Sequence, residues 1–411
     1  VTQSSIFCLG IVFCLAISTA DAYDWPQWLG PERNGISPEK GWLTDWPKEG
    51  LPVLWRASVG TGFSPISIKD GRAYTMGFQE GMDTVYCFNA ETGETLWKYS
   101  YPSKIHDYNH EGGPATAPLL DATAVYTFSR EADLICLNAL NGQVIWSRNL
   151  VKEYEAKIPL IGFSASPLLF KDRVVVDAGI AFAFNKKDGR LIWRTEKYIE
   201  SYSSPQLFDL DTLPHLAFFN GTGLVVLEAF TGKEVWCLPW RTPKFDTNTS
   251  TPIISEGKVF FSSGYDRGCA LARIGEPSES AVIWQDKRVR SSYNTCILTQ
   301  GHLFGFNEVD LTCWDFETGE VKWTEDFNDD GCQILADGKL IIQTAKGDLV
   351  LVEANTSVYK EISRVKVLEG RCWTLPVLCN RKIYCRNSKG DVVCLDVRGP
   401  RPWDDVDQGF R

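Results

Sequence analysis

Positive charge is scarce in this chain. Lys and Arg number 42 against 52 Asp and Glu, a formal net charge of −10 over 411 residues, and the basic residues are scattered. Nucleic-acid binding needs a basic stripe that displaces counterions, so that function class is excluded. Gly-x-Ser-x-Gly, a phosphate-cradling Gly-rich loop and a dinucleotide fingerprint are all missing, and hydrolase and nucleotide chemistries lose their support with them. Long apolar runs are missing too. The run over residues 6–17 extends for about a dozen positions, too short to cross a bilayer, and no membrane insertion is expected. Ala20-Asp21-Ala22, a small-x-small cleavage pattern, follows it. Residues 1–22 therefore read as a secretory signal peptide, although no Lys or Arg precedes the run. An exported protein, periplasmic or secreted, is the expectation.

Against these absences stands a tryptophan that returns about every 45 residues, the period of a β-propeller blade. It closes the same short signature each time: Cys87-x-Asn89-x-x-Thr92-Gly93-x-x-x-Trp97, then Cys136-x-Asn138-x-x-Asn141-Gly142-x-x-x-Trp146. Further copies end at Trp193, Trp236 and Trp323, and an irregular one at Trp284. Each repeat reads as four strands. A short inner strand opens at a small residue and a proline (Ser64-Pro65, Ala117-Pro118, Ser166-Pro167, Ser204-Pro205, Thr251-Pro252), and proline at a strand start breaks no ladder bond. Asp-Gly or Glu-Gly turns follow, as at Asp70-Gly71, Glu256-Gly257 and Asp337-Gly338, the chemistry of tight hairpins. The tryptophan opens the outer strand.

The copy after Trp323 degenerates, and Tyr359 is expected in the tryptophan's place. The last set of strands, ending near Asp396, has no tryptophan strand, and Trp55 sits in a strand with no three before it. The two orphans complete each other. The expected architecture is an all-β, eight-bladed propeller closed by its N-terminal strand, which leaves no free edge at the seam. The organisation is a signal peptide (1–22), a lead-in (23–51), the propeller (52–398) and a tail (399–411), with no second domain.

Thirteen cysteines include two in the leader. Cys87, Cys136, Cys313 and Cys394 share one third-strand position in different blades. Facing sheets lie roughly 10 Å apart, beyond the roughly 7 Å Cα limit of a disulfide, so these thiols are expected as small buried apolar groups. Cys385 and Cys394 flank the turn Ser388-Lys389-Gly390-Asp391 and are expected to face each other and pair.

The small-x-Asp/Asn-x-x-Thr-Gly-x-x-x-Trp signature resembles the tryptophan-docking repeat of the quinoprotein-like (PQQ-like) propellers. Asp24-Trp25-Pro26-Gln27-Trp28-Leu29-Gly30-Pro31-Glu32-Arg33-Asn34-Gly35 resembles the start of exported polyvinyl-alcohol-dehydrogenase-like repeat proteins. The resemblance implies that Trp55, Trp97, Trp146, Trp193, Trp236, Trp284 and Trp323 pack between blades. It leaves two functional wings. One holds pyrroloquinoline quinone (PQQ) and calcium on the axis for alcohol oxidation; the other is non-catalytic and looks like the outer-membrane assembly factor BamB.

The dehydrogenase wing implies basic groups for the quinone, oxygen ligands for calcium, a carboxylate base and, in many members, adjacent cysteines or Cys-x-x-Cys-His. Neither cysteine pattern occurs. Arg371 with Trp373, and Arg290 with Tyr293, precede inner strands and read as mouth-lining residues. His106-Asp107-Tyr108-Asn109-His110-Glu111 holds two of the four histidines in a loop on the same face; it reads as a ligand-contacting loop, since it lacks the helical spacing of a zinc motif. Asp326, Asn328 and Asp330 copy half of a calcium loop, but Asp337 stands where such loops carry Glu, and a structural turn is the reading. The remaining inner-strand starts are small hydroxyl and aromatic residues, suited to a neutral polar ligand, a peptide segment or water. The expectation is a monomeric binding or scaffolding module that takes a protein or small polar ligand, with no catalytic residue, metal or cofactor. PQQ and calcium enter only under the alternative, a PQQ-dependent alcohol dehydrogenase.

Overall fold

A computed structural model describes residues 23–399 except 244, 245, 289, 292 and 293. The leader at 1–22 and all but the first residue of the tail lie outside the described residues. Eight four-stranded antiparallel meanders follow one another round a ring. In blade 1 they are Ser67–Lys69, Arg72–Gln79, Met82–Asn89 and Thr95–Pro102, and the inner strands of blades 2 to 8 begin at Leu119, Leu168, Gln206, Ile253, Ile297, Gly331 and Val377. The hairpin turns behave as their residues dictate. Asp70 and Gly71 take φ of 49° and 71°, and Asp337 and Gly338 take 48° and 70°, the paired positive φ of a type I′ turn. We call the face where inner strands begin the upper face, and the face carrying these first turns the lower face.

The signature's spacing is explained at the blade interfaces. Each tryptophan ring reaches the turn of the following blade, where its indole N–H donates to a backbone carbonyl: Trp97 to Ala139 (3.0 Å), Trp146 to Lys186 (3.0 Å), Trp193 to Ala229 (3.2 Å). Trp55, Trp236, Trp284 and Trp323 do the same to Ala90, Glu276, Phe316 and Asn355. Beneath five of the rings lies the glycine of the next blade's turn. A Cβ on Gly142 would stand 2.6 Å from the Trp97 ring, and one on Gly189 2.6 Å from Trp146, so the glycine supplies both positive φ and the absence of a side chain. In all eight blades the register between third and outer strand shifts at the residue before the docking position. Such a bulge swings the outer strand and blunts an edge that would otherwise template foreign strands.

The ring closes as the two orphan sets require. Val53–Ser58 pairs antiparallel with Asp391–Asp396, Trp55 opposite Cys394. Lys382, nearly buried, and Arg398 both bind the Glu91 carboxylate, at 2.6 and 2.8 Å, tying blade 8 to blade 1. Two expectations are corrected here. Cys385 lies opposite Val393, while Cys394 lies opposite Tyr384. The two cysteines are thus one residue out of register and point to opposite faces of the sheet, and both are free, like every cysteine of the described residues. Tyr359 does not occupy the tryptophan position of blade 7. The residue opposite Leu351, matching Trp323 opposite Cys313, is Ser363.

The lead-in fills the place left by that serine. Ser363 Oγ accepts from Trp46 N and donates to Thr44 O. The carbonyl of Val397, the residue after Asp396 as Ala139 is the residue after Asn138, accepts Leu43 N at 2.7 Å. Trp42 and Trp46 are buried in the core cluster of this seam. Upstream, residues 23–39 touch all eight blades. Trp25 exchanges both backbone bonds with Ile68, Pro26 O accepts Leu120 N, Arg33 donates to the carbonyls of Pro167 and Pro205, and Trp28 Nε1 donates to Thr251 Oγ1. Gly35 lies beside Ile297, Ile36–Ser37 pairs parallel with Leu335 and Ala336, and the Glu39 carboxylate accepts Asn380 N and Arg381 N. A segment that meets all eight blades, at or beside their inner strands, occupies the axis.

Candidate functional site

The axis above the lead-in is stitched by side chains. Ser64 Oγ donates to Thr116 O, Ser166 Oγ accepts Ala117 N, Ser204 Oγ accepts Ser166 N, Ser203 Oγ donates to Ser250 O, and Thr295 Oγ1 accepts Thr251 N. These bonds join blades 1 through 6 in sequence. Gln333 Nε2 to Phe304 O, Gln343 Nε2 to Arg386 O, and the Arg386 guanidinium to the carbonyls of Gly62, Ser64 and Met76 complete the circle. The hydroxyls of Ser64, Ser166, Ser203 and Ser204 are therefore buried and engaged between blades, so for these positions the expectation of a neutral polar ligand, a peptide segment or water is corrected. Inner strands converge on the axis, and short hydroxyls bridge them where backbone ladders do not run.

The upper mouth brings together residues from three blades. The loop after blade 1 is pinned at its base, Gly113 N donating to Ile105 O at 2.7 Å, and it carries Tyr108 outward at 51% exposure. Glu111 pairs with Arg371 at 2.8 Å, bridging the loops that precede blades 2 and 8. The Arg371 guanidinium lies 4.3 Å from the Trp373 ring centre, close enough for cation–π attraction. Trp373 stacks on Phe63 at 6.0 Å, and His110 meets Phe63 edge-on at 5.5 Å. Burial, then the nearby Arg130 and Arg371, push the His110 pKa down to about 4, against the opposing pull of Glu111 and Asp107. The ring is neutral at pH 7. Its Nδ1 accepts Gly112 N, so the proton sits on Nε2.

His110, Glu111, Arg371 and Trp373 are thus assembled as one site, with Asp107 exposed at its rim. His106 turns away, its Nε2 3.5 Å from the Glu131 carboxylate. Arg290 belongs to a different cluster, held by Asp266 and Glu308 at 2.9 and 3.0 Å, and Tyr293 lies outside the described residues. Asp326 accepts Asn328 N in a tight turn between blades 6 and 7, and Asp330 ends that connection. Sequence reasoning missed Phe63 and Arg130. Phe63 stood in plain view at an inner-strand start; Arg130 lies in the second turn of blade 2, and nothing local marks that turn as buried.

Two carboxyls near this face are buried and neutral-leaning. Burial raises Asp83 and Asp177 to about 7, opposed by the Ser103 hydroxyl and the Gly179 N–H respectively. A raised carboxyl contributes stability that is complete below its unfolded value and lost as pH rises through about 7. The unfolding midpoint will therefore fall between pH 5 and 8, and Asp177→Asn, which keeps the Gly179 bond, will shrink that fall. Thermal melts across this range check it; an unchanged pH slope in the variant rejects it.

A family model described as "Outer membrane protein assembly factor BamB" matches residues 81–325, more than half of the chain. The BamB of Yersinia pestis is 23% identical over 335 residues, 76% of this chain and 79% of that protein. Among solved structures, BamB from Moraxella catarrhalis superposes with a TM-score of 0.60 at 16% identity, over 84% of this chain and 99% of its own. The quinohemoprotein alcohol dehydrogenase of Comamonas testosteroni superposes with a TM-score of 0.64 at 13% identity, over 92% and 81%. At such identities the structural likeness concerns the fold alone. A tryptophan-docked eight-bladed ring, matched over most of its length by one family model, places the chain: it belongs to the family of the outer membrane protein assembly factor BamB.

Proposed function

We propose that this chain is an exported, monomeric, non-catalytic scaffold that binds a protein partner with its upper face. The observation that carries this reading is the distribution of polar groups. Those on the axis are buried between blades or against the lead-in, whereas His110, Glu111, Arg371 and Trp373 are joined to one another at the mouth and partly exposed. Export rests on the apolar run 6–17 and Ala20-Asp21-Ala22 and fits the family's name. A closed ring with no seam edge and an acidic surface needs no second copy.

The competing reading is quinone-dependent alcohol oxidation, and the residues present do not fit it. Calcium beside a tricarboxylate quinone needs several converging oxygen ligands. Among the described residues no three His, Cys, Asp or Glu side chains converge in that way. Trp25, Leu29 and Arg33 of the lead-in are buried, and Arg33 reaches the carbonyls that precede the inner strands of blades 3 and 4.

The test is a photo-crosslinking residue at Tyr108, on the upper face, against one at Leu213, an exposed position on the lower face. In cells that export the protein, discrete protein crosslinks will form from 108 and not from 213; the reverse pattern sinks the reading. Dye-linked alcohol oxidation appearing on addition of PQQ and calcium would promote the dehydrogenase instead.

A further inference from the structure

Beneath the upper mouth stands a buried cation with no direct ion pair among the described residues, on which Asp83 and Tyr202 act only from a distance. Arg130 is 2% exposed and donates Nε to Gly113 O and Nη1 to Ile161 O, while no carboxylate of the described residues lies within ion-pairing distance. Among the described residues its Nη2 has no hydrogen-bond partner, whereas Nε and Nη1 are both taken by backbone carbonyls. The other buried guanidiniums differ: both Nη atoms of Arg33 and of Arg386 are taken by backbone carbonyls, which makes them structural pins. A buried charge with unused donors favours an anion.

The second cation is Arg371. Its partner Glu111 and Arg371 itself are each about one-third exposed, at 34% and 33%, so the pair contributes little and exchanges readily. His110, whose ring is acted on by both guanidiniums, reports the local balance. At its ring the effects of Arg130 and Arg371 exceed those of Glu111 and Asp107, so the two cations dominate at this point of the mouth. Its Nε2–H is a third donor.

We propose that the upper mouth binds a side-chain carboxylate of an acidic peptide segment, which displaces Glu111 from Arg371 above Arg130 and rests its neighbouring apolar side chain on Trp373. This rests on the reading of the upper face as the binding face. Charge complementarity selects the carboxylate, and shape selects a peptide. The mouth is an open surface, on which Asp107 and Tyr108 are exposed and Glu111 and Arg371 each about one-third exposed. An extended segment needs only a shallow cationic patch beside an aromatic ring; a small ligand needs enclosure. Binding is linked to protons. A carboxylate beside His110 raises its pKa from about 4 toward its ordinary 6.5, so the complex takes up a proton between those values and tightens as pH falls through them.

The full chain is titrated with a synthetic peptide alternating Glu and Leu, with its Lys-and-Leu counterpart, and with free glutamate. The acidic peptide will bind and the basic one will not. Arg371→Gln, at a one-third-exposed position that spares folding, will weaken binding about tenfold or more. Glu111→Gln will strengthen it by removing the internal competitor, and the His110 ring resonance will titrate higher in the complex. Equal binding of the basic peptide, equal affinity in Arg371→Gln, or an unmoved His110 titration overturns the proposal. Glutamate binding as tightly as the peptide would overturn the peptide as occupant. If the acidic peptide fails while crosslinks still form from position 108, the carboxylate falls and the upper-face scaffold stands.

Discussion

Deleting residues through Ser58 will destroy cooperative folding, whereas deleting only through Leu51 will lower the melting temperature and leave one transition. The difference lies in one strand. Without Val53–Ser58, the third strand of blade 8 loses five register partners, from Leu395 back to Asp391, and becomes an exposed edge lined by Val392, Val393 and Leu395. The blade 8 to blade 1 interface also loses Trp55, its bond to Ala90 O and its seat on Gly93. An unpaired, apolar edge templates aggregation. The shorter deletion keeps that strand and strips the axial segment and the Trp42–Trp46 patch, damage spread over many contacts with no open seam. Size-exclusion chromatography and melts of both truncations decide the matter. A chain lacking residues through Ser58 that stays monomeric and melts like the full-length protein rules out closure by this strand.

Trp146→Ala will cost about 3–5 kcal/mol, the range for a large aromatic removed from a packed interior. Trp146 is 7% exposed, packs on Tyr126 at 5.9 Å, covers Gly189 and donates to Lys186 O. The alanine leaves a void between blades 2 and 3 and an acceptor without its donor, at the lower end of the blades and away from the mouth. Trp146→Phe retains most of the ring and loses the hydrogen bond, and will cost about 1 kcal/mol more than a neutral change. Denaturant unfolding measures both. Upper-face binding will be unchanged in the folded fraction, which separates docking from recognition. A loss below about 1 kcal/mol for the alanine variant contradicts a docking role.

How far the sequence reaches can be read from particular residues. The period of the tryptophans, the Asp-Gly turns and the unmatched strand at Trp55 determined eight blades and the manner of closure, because each reports contacts made within one blade or with its neighbour. Packing of the rings between blades was implied by the resemblance to the quinoprotein-like propellers, and their seat on the next blade's turn came from the tertiary structure. The Cys385–Cys394 pairing failed on a local quantity the sequence does not display: a one-residue offset in register sends the side chains to opposite faces of the sheet. The tryptophan position of blade 7 was misplaced because its turn has a different length, and only the pairing of Leu351 with Ser363 located it.

The candidate site divides likewise. His110, Glu111, Arg371 and Trp373 were legible as mouth residues, since the repeat places the start of each inner strand on one face. Their assembly was not, because Glu111 and Arg371 stand 260 residues apart and meet only when the ring closes. Nor could composition show that the inner-strand hydroxyls bond neighbouring blades, that residues 23–39 cross the axis, or that Arg130 is buried without a direct ion pair among the described residues. A repeat determines what recurs at its own period. What happens on the axis, where eight strands and a separate segment converge, is decided by ring geometry, which brings together residues with no common position in the repeat.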